Sequence, residues 1–503
     1  MGRRATWWTV GAATLALVLL AALTLDGPTR FLDSASYAAA VDAISNGRGL
    51  SVGLVPSFSD FTAVEFLRRE ANIPFVDFPV GHPLVASPIA LVVGAPTALL
   101  VLCLGCSAAS AALIVRGPSG RRASHPTHAI RLLVALGLLL LPIHLDVIGA
   151  GLSESLFLVL LLAAAVNATS DDPRRWRIAV VLAGLAGAVR FVGLPVVAVP
   201  ALLLYRREGA RRTAPWVAIA VLPTVVDAAW AAAVGGGHRP GWRGLADDDL
   251  RFTLHSIAGW VWQGRGDFTK LFGNTSWPPL WSVPVALAWL VAGVWAVGRL
   301  LRGPEQGDRS LTVPLSMALV LTLSLFVGMA FFDALVVPDN RLMLPAGVLT
   351  VVGLLWWAGE RFDARLVLTV TLAWIVAAVA PWSVRPLQAV PSSSDLVAAV
   401  GDARVVVSDD ADAVWWETGA AAAYLPLPTR TLTGERVDQV AEFLPIPCLL
   451  AERQGVIVVT GGAFGDRSLQ PELDRLTEEG VLDRTEFGAV VRYAPTAVGC
   501  ADG

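Results

Sequence analysis

Charged side chains with chemical potential stand at the edges of long apolar runs. Asp33 lies in Phe31-Leu32-Asp33-Ser34-Ala35-Ser36-Tyr37, just past the first hydrophobic stretch, and His82 lies in the turn Phe78-Pro79-Val80-Gly81-His82-Pro83-Leu84. Glu154 opens an apolar run, Arg190 interrupts another within Gly187-Ala188-Val189-Arg190-Phe191-Val192-Gly193, and Arg341 begins a third in Asp339-Asn340-Arg341-Leu342-Met343-Leu344-Pro345. A carboxylate can take the proton of an attacking hydroxyl, and guanidinium groups can stabilise the charge that develops on a departing phosphate. One carboxylate and two arginines around one cavity therefore suit transfer of a group from a phosphate-linked carrier to a hydroxyl. Plainer readings stand beside this one. Asp33 or Ser34 can simply cap a helix. A cation at membrane depth costs about 2.5–3.5 kcal/mol on insertion scales, so Arg190 must be paired, either with Glu154 in a structural pair or with a lipid phosphate. The His82 turn can be no more than a breaker between loop and helix.

The elements that hold these residues belong to a membrane. The chain has 503 residues, 55% of them hydrophobic and only 16% charged, and its mean hydropathy is +0.62. Repeated apolar runs approach the roughly 20 residues that cross a hydrocarbon core of about 30 Å. Arginines gather at run ends, Lys270 is the only lysine, and nothing resembles a nucleic-acid site. Arg3 and Arg4 place the N-terminus inside; the run Trp7–Leu25 reads as an uncleaved anchor. A long outer loop, 26–81, follows. Pro83–Val93 reads as a re-entrant or interfacial helix and Thr97–Val115 as the second span, broken at Gly94-Ala95-Pro96. Spans near Ile130–His144, Leu152–Val166, Ile178–Val189, Val192–Tyr205, Pro215–Val234, Trp281–Leu301, Val313–Phe332, Leu342–Trp357 and Leu366–Trp382 bring the count to eleven. The short pair around Arg190 meets below the outer surface. A second outer loop, Gly235–Leu280, carries Trp242, Asp247-Asp248-Asp249, His255, Trp260 and Trp262. Within the first loop, Tyr37, Val41 and Ile44 repeat at helical spacing, which predicts a short amphipathic helix on the membrane surface, stopped at Asn46-Gly47.

Past residue 382 the composition changes. Val405-Val406-Val407 and Val456-Ile457-Val458-Val459 predict buried strands, Glu435–Phe443 and Leu469–Glu479 helices, and Glu486–Tyr493 a last strand: a small α/β domain, 383–503, after a linker at Pro386–Ser394. Two domains result, a membrane module over 1–382 and this extracytoplasmic one. Cys103 and Cys106 lie in an apolar run as small core residues, whereas Cys448 and Cys500 can pair if their region is extracytoplasmic. Two other functional classes remain open. A transporter or lipid flippase would show an inverted repeat and broken polar helices at the midplane. A non-catalytic envelope glycan-binding protein would need neither the loop carboxylate nor the arginines.

Five motifs, in order, resemble those of bacterial GT-C superfamily glycosyltransferases of the broad protein-O-mannosyltransferase-like type. Asp33-Ser34-Ala35-Ser36-Tyr37 with Asn46-Gly47-Arg48-Gly49-Leu50-Ser51 resembles the family's D-x-x-x-Y…G-x-G-[FL]-S. The His82 turn resembles P-P-G-[HY]-P-L, Ser153-Glu154-Ser155-Leu156-Phe157 resembles [ST]-E-x-L-F, Val189-Arg190-Phe191-Val192-Gly193 resembles T-R-x-x-G, and the Arg341 segment resembles R-Y-L-L-P. Val80, Val189 and Leu342 replace a proline, a threonine and a tyrosine of those patterns, and Ser34 stands where protein mannosyltransferases carry glutamate. The resemblance implies a multi-pass enzyme of the cytoplasmic (inner) membrane with its C-terminal domain outside. It implies an inverting transfer of sugar from a polyprenyl-phosphate donor to a glycan, glycolipid or protein acceptor. Asp33 is then the base and Arg190 and Arg341 hold the donor phosphate, with Tyr37, His82 and Glu154 as supporting residues. No cofactor is required; a divalent metal on Asp33 and other loop acids is left open.

Overall fold

The structure is a computed structural model of the chain. It describes all residues except 1–2, 25–27, 29–31, 56–60, 77, 119–124, 235–278, 304–307, 332–339, 380–393, 427–437, 461–468 and 497–503. A helical bundle makes up the first three quarters. Its early elements are α1 (Arg3–Leu23), α2 (Leu32–Ser45), strands β1 (Ser51–Val52) and β2 (Leu54–Val55), α3 (Ala63–Arg68), β3 (Ile73–Pro74), α4 (Gly81–Val93) and α5 (Ala95–Arg116). Next come α6 (His125–Leu139), α7 (Pro142–Gly149), α8 (Glu154–Ala168), α9 (Pro173–Val189), a 3-10 turn (Phe191–Val197), α10 (Ala198–Glu208) and α11 (Ala210–Ala233). The bundle closes with α12 (Pro279–Arg302), α13 (Arg309–Phe331), α14 (Asn340–Arg361) and α15 (Ala364–Val379).

Among the described residues, five helices are long and apolar enough to cross a membrane: Thr6–Leu23, Ala95–Arg116, Ala210–Ala233, Arg309–Gly328 and Arg341–Arg361. A sixth crossing arises if α6 and α7, bent by 66° at their junction, count as one. The chain is thus a multi-pass membrane protein. The eleven crossings read from the sequence also counted shorter helices. The 11 residues of α10 rise only about 17 Å at 1.5 Å each, and the 15 of α8 about 22 Å, against a hydrocarbon core of about 30 Å. The break between α4 and α5 falls at Gly94, whose φ of +80° favours a residue without a Cβ.

The bundle has two chemically distinct ends. At one end the arginines of the expected inner loops meet. Arg177 pairs with Glu208 at 2.8 Å, Arg309 with Asp171 at 2.9 Å, and Arg299 and Arg361 both with Asp308, at 2.5 and 2.9 Å. Arg207 and Arg309 also lie over the Trp176 ring. At the opposite end stand the first turns of α2, α4, α8 and α14 and the last turn of α9.

The C-terminal region is α/β. It contains α16 (Ser394–Val400), β4 (Val405–Ser408), α17 (Ala411–Thr418), β5 (Ala421–Tyr424), α18 (Gln439–Phe443), α19 (Ile446–Arg453), β6 (Val456–Val459), α20 (Gln470–Glu478), β7 (Leu482–Phe487) and β8 (Val490–Pro495). The all-apolar runs Val405–Val407 and Val456–Val459 form the adjacent central strands, buried on both faces as parallel strands must be. The sheet order is β2-β5-β4-β6-β8-β7. Its edge strand β2 comes from the first outer loop and pairs in parallel with β5 through Leu54↔Ala422 and Val55↔Ala423; the Ala422 amide donates to the Gly53 carbonyl at 2.9 Å. The single last strand expected at Glu486–Tyr493 is instead a hairpin, because Gly488 at φ +58° turns the chain between β7 and β8. Of the expected helix Glu435–Phe443, residues 435–437 lie outside the described residues, as does the linker Pro386–Ser394 except Ser394.

Candidate functional site

Helix α2 organises the site. It was expected to lie on the membrane surface with one apolar face, and that expectation fails. Every residue from Ser34 to Val41 is buried. The cause is composition: alanine at 35, 38, 39, 40 and 43 lets neighbours approach closely. Helices α4 and α5 of the bundle and α17 of the C-terminal region all pack on it. The helix ends where Asn46-Gly47 was expected to stop it, with the Arg48 amide donating to the Ala43 carbonyl at 2.8 Å.

Asp33 sits in the first turn of α2. Its Oδ2 accepts a hydrogen bond from Arg341, in the first turn of α14, at 2.7 Å. The two side chains are only 17% and 18% exposed. This contact joins residues 308 positions apart.

One turn after Asp33, and so on the same face, Tyr37 reaches into the bundle. Its hydroxyl donates to Ser153 Oγ at 3.1 Å. The ring packs on Phe78 at 4.8 Å and against the edge of His82 at 5.0 Å. Burial pushes the Tyr37 phenol above its ordinary range; Arg190 opposes that rise, and Asp33 and Glu154 reinforce it. Tyr37 therefore stays a neutral hydrogen-bond donor.

His82, in the first turn of α4, places Nε2 2.9 Å from the Gly151 carbonyl. A carbonyl only accepts, so Nε2 carries the proton and Nδ1 is left as an acceptor. Nδ1 is buried with no hydrogen-bond partner among the described residues. The preceding Gly81 permits this placement: a Cβ there would lie 2.5 Å from the Ala188 carbonyl oxygen, so α4 starts flush against the end of α9.

Glu154 begins α8 directly after Ser153, where the helix N-terminus favours an anion. It is 2% exposed and pairs with Arg190. Helix α9 stops at Val189, Arg190 is extended at φ −146° and ψ 121°, and its carbonyl accepts from the Gly193 amide of the 3-10 turn at 2.8 Å. The extended residue turns the guanidinium back toward Glu154. The two pairs share one field. Glu154 interacts electrostatically with both Arg190 and Arg341, and Arg190 with Glu154, Tyr37, Arg341 and Asp33.

The fold thus brings all six candidate residues, Asp33, Tyr37, His82, Glu154, Arg190 and Arg341, to one end of the bundle. Two partners escaped the sequence reading: Ser153, which receives the Tyr37 hydroxyl, and the Gly151 carbonyl that fixes the His82 ring. Ser153 lay inside a motif already singled out, whereas a backbone carbonyl leaves no signal in sequence. Trp242, Asp247-Asp248-Asp249, His255, Trp260 and Trp262 lie outside the described residues, as does Cys500, so the Cys448–Cys500 pairing does too. Cys103 and Cys106 are free and buried. Among the described residues, no group of three or more His, Cys, Asp or Glu is placed to hold a metal ion.

Chemically, the cluster holds two anions and two cations, with a neutral phenol and an imidazole acceptor beside them. Such a site can receive a further anion on its guanidinium groups and a hydroxyl on its carboxylate. No protein-family model matches the chain, and no curated protein matches it.

Proposed function

We propose that the protein is a membrane glycosyltransferase of the GT-C type that moves a sugar from a polyprenyl-phosphate donor to a hydroxyl of an envelope acceptor, with inversion. The observation that carries the reading is the meeting of Asp33 and Arg341 at 2.7 Å beside the Glu154–Arg190 pair. Residues from four separated motifs share one end of a multi-pass bundle, opposite the arginine-rich end. Asp33 takes the proton of the acceptor hydroxyl, the oxygen attacks the anomeric carbon, and the bond from that carbon to the phosphate oxygen breaks. Arg190 and Arg341 carry the charge that grows on the leaving phosphate. Tyr37, His82 and Glu154 hold the arginine and the carboxylate in register.

The topology that goes with this chemistry has eleven crossings and α4 re-entrant, in the cytoplasmic (inner) membrane. The N-terminus is inside and the C-terminal region outside, over the acceptor side of the site. The gathering of Arg177, Arg299, Arg309 and Arg361 at one end supports that orientation, because basic loops stay on the cytoplasmic side.

The test is transfer of labelled sugar from polyprenyl-phosphate donors to envelope extracts by the purified chain and by Asp33→Asn. A positioned base contributes about 10²–10⁴ in rate, and Asp33→Asn is expected to lose that much. A folded Asp33→Asn protein with full transfer removes Asp33 as the base; no transfer by wild type with any donor removes the enzyme.

A further inference from the structure

The Asp33–Arg341 contact poses a problem for the proposed chemistry. A carboxylate engaged by a guanidinium at 2.7 Å is a weak base, and a guanidinium that gives donors to that carboxylate has fewer of its five for a phosphate. Yet both must act in one step. The neighbouring pair is differently placed: Glu154 is 2% exposed and fixed at the start of α8, so Arg190 has a permanent partner, while Arg341 faces a carboxylate that can change its charge within the cycle.

We infer that Arg341 is exchanged between Asp33 and the phosphate of the lipid carrier, so that phosphate binding frees the base and recovery of the base expels the phosphate. The inference rests on the proposed function and adds a regulation to it. Before the donor arrives, Asp33 and Arg341 neutralise each other, and a hydroxyl near Asp33 meets a blunted base. A donor phosphodiester, with one negative charge, competes for Arg341 beside the already anchored Arg190. Asp33 is then a free carboxylate. In transfer the acceptor oxygen bonds to the anomeric carbon, its proton passes to Asp33, and the electron pair of the broken carbon–oxygen bond stays on the phosphate. Asp33 is now neutral and the carrier phosphate has gained a charge, so Arg341 moves fully to the phosphate. When Asp33 gives its proton to water it reclaims Arg341, and the lipid phosphate loses a ligand and leaves. No co-reactant beyond donor, acceptor and water is consumed.

The exchange makes an unusual prediction: removing the catalytic carboxylate strengthens binding of the carrier. The probe is a sugar-free polyprenyl phosphate, titrated into the full chain in nanodiscs and read by native mass spectrometry. Wild type, Asp33→Asn, Arg341→Ala and the double variant are compared, each checked by its melting curve. Asp33→Asn should bind about tenfold tighter, the equivalent of one charge-assisted hydrogen bond returned to the ligand. Arg341→Ala should bind more weakly, and Asp33→Asn should add nothing in the Arg341→Ala background. Unchanged or weakened binding by Asp33→Asn overturns the exchange, and so does tightening that survives in the double variant. Absence of binding in every variant removes both the exchange and the donor assigned here. A chain that transfers sugar but shows no such cycle loses the exchange and keeps its enzymatic reading; a chain that shows the cycle but transfers nothing loses the enzymatic reading alone.

Discussion

The two ends of the bundle use the same residue types, arginine and carboxylate, in different settings. At the arginine-rich end, the cations sit on carboxylates near helix termini, and several remain open to solvent: Arg361 is 51% exposed where it meets Asp308. In the orientation proposed above these arginines mark the cytoplasmic side, and their pairings with carboxylates lie partly in solvent. At the other end, Arg190 and Arg341 are 17% and 18% exposed, and each meets a carboxylate from a different helix. Burying a charge is costly, so a buried pair has to be matched and geometrically fixed, whereas exposed pairs contribute little. At the arginine-rich end each of these pairs keeps one member at least 32% exposed, whereas in both pairs of the other end neither member exceeds 18%, so the cost of burying a whole pair is accepted there.

The comparison breaks most sharply at Glu154. Its removal in Glu154→Ala leaves Arg190 without its partner in the bundle. Losing one member of a buried pair costs about 3–5 kcal/mol, and the detergent-solubilised variant should show a large fall in melting temperature. If Glu154→Ala melts with wild type, the pair is no more buried in effect than those of the other end, and the contrast collapses.

A smaller effect is expected one turn from Asp33. Tyr37→Phe keeps the ring against Phe78 and His82 but deletes the bond to Ser153 Oγ. A single neutral hydrogen bond is worth about 0.5–1.5 kcal/mol, so stability should fall by that much. Transfer should fall several-fold through loss of register between α2 and α8. A larger loss of activity with unchanged stability would make Tyr37 a participant in the chemistry and not a support.

What the sequence could reveal of this contrast followed from cost. Glu154, Arg190 and Arg341 stood out because a charge beside an apolar run is expensive, and Gly94 and Asn46-Gly47 stood out because few residues tolerate their backbone. The pair of Glu154 with Arg190 was one of two readings already open. The partner of Asp33 was not legible, since nothing in the sequence ties residue 33 to residue 341. The burial of α2 was misread for a related reason. Tyr37, Val41 and Ile44 do repeat at helical spacing, but the alanines between them are small enough to be covered on every side, and the covering helix α17 comes from nearly four hundred residues later. Two-residue β2 gave no periodicity at all; only β5 beside it makes it a strand. Five of the crossings are legible in the structure as helices of full length; the shorter apolar runs carry the same hydropathy without the length, so hydropathy alone does not decide them.

The smallest expected effect tests the arginine-rich end directly. Arg361→Gln removes a guanidinium that is half in solvent, lies 5.6 Å over the Trp357 ring and meets Asp308 at 2.9 Å. Asp308 keeps Arg299 at 2.5 Å, so no carboxylate is stranded. An exposed pair of this kind is worth about 0–1 kcal/mol and is screened by salt with a Debye length of about 3 Å at 1 M. Arg361→Gln should therefore lower the melting temperature slightly at low ionic strength and not at all in 1 M salt, with transfer unchanged in both. A loss that persists in high salt would mean that this end also holds its charges away from water, and that burial of ion pairs does not mark the site.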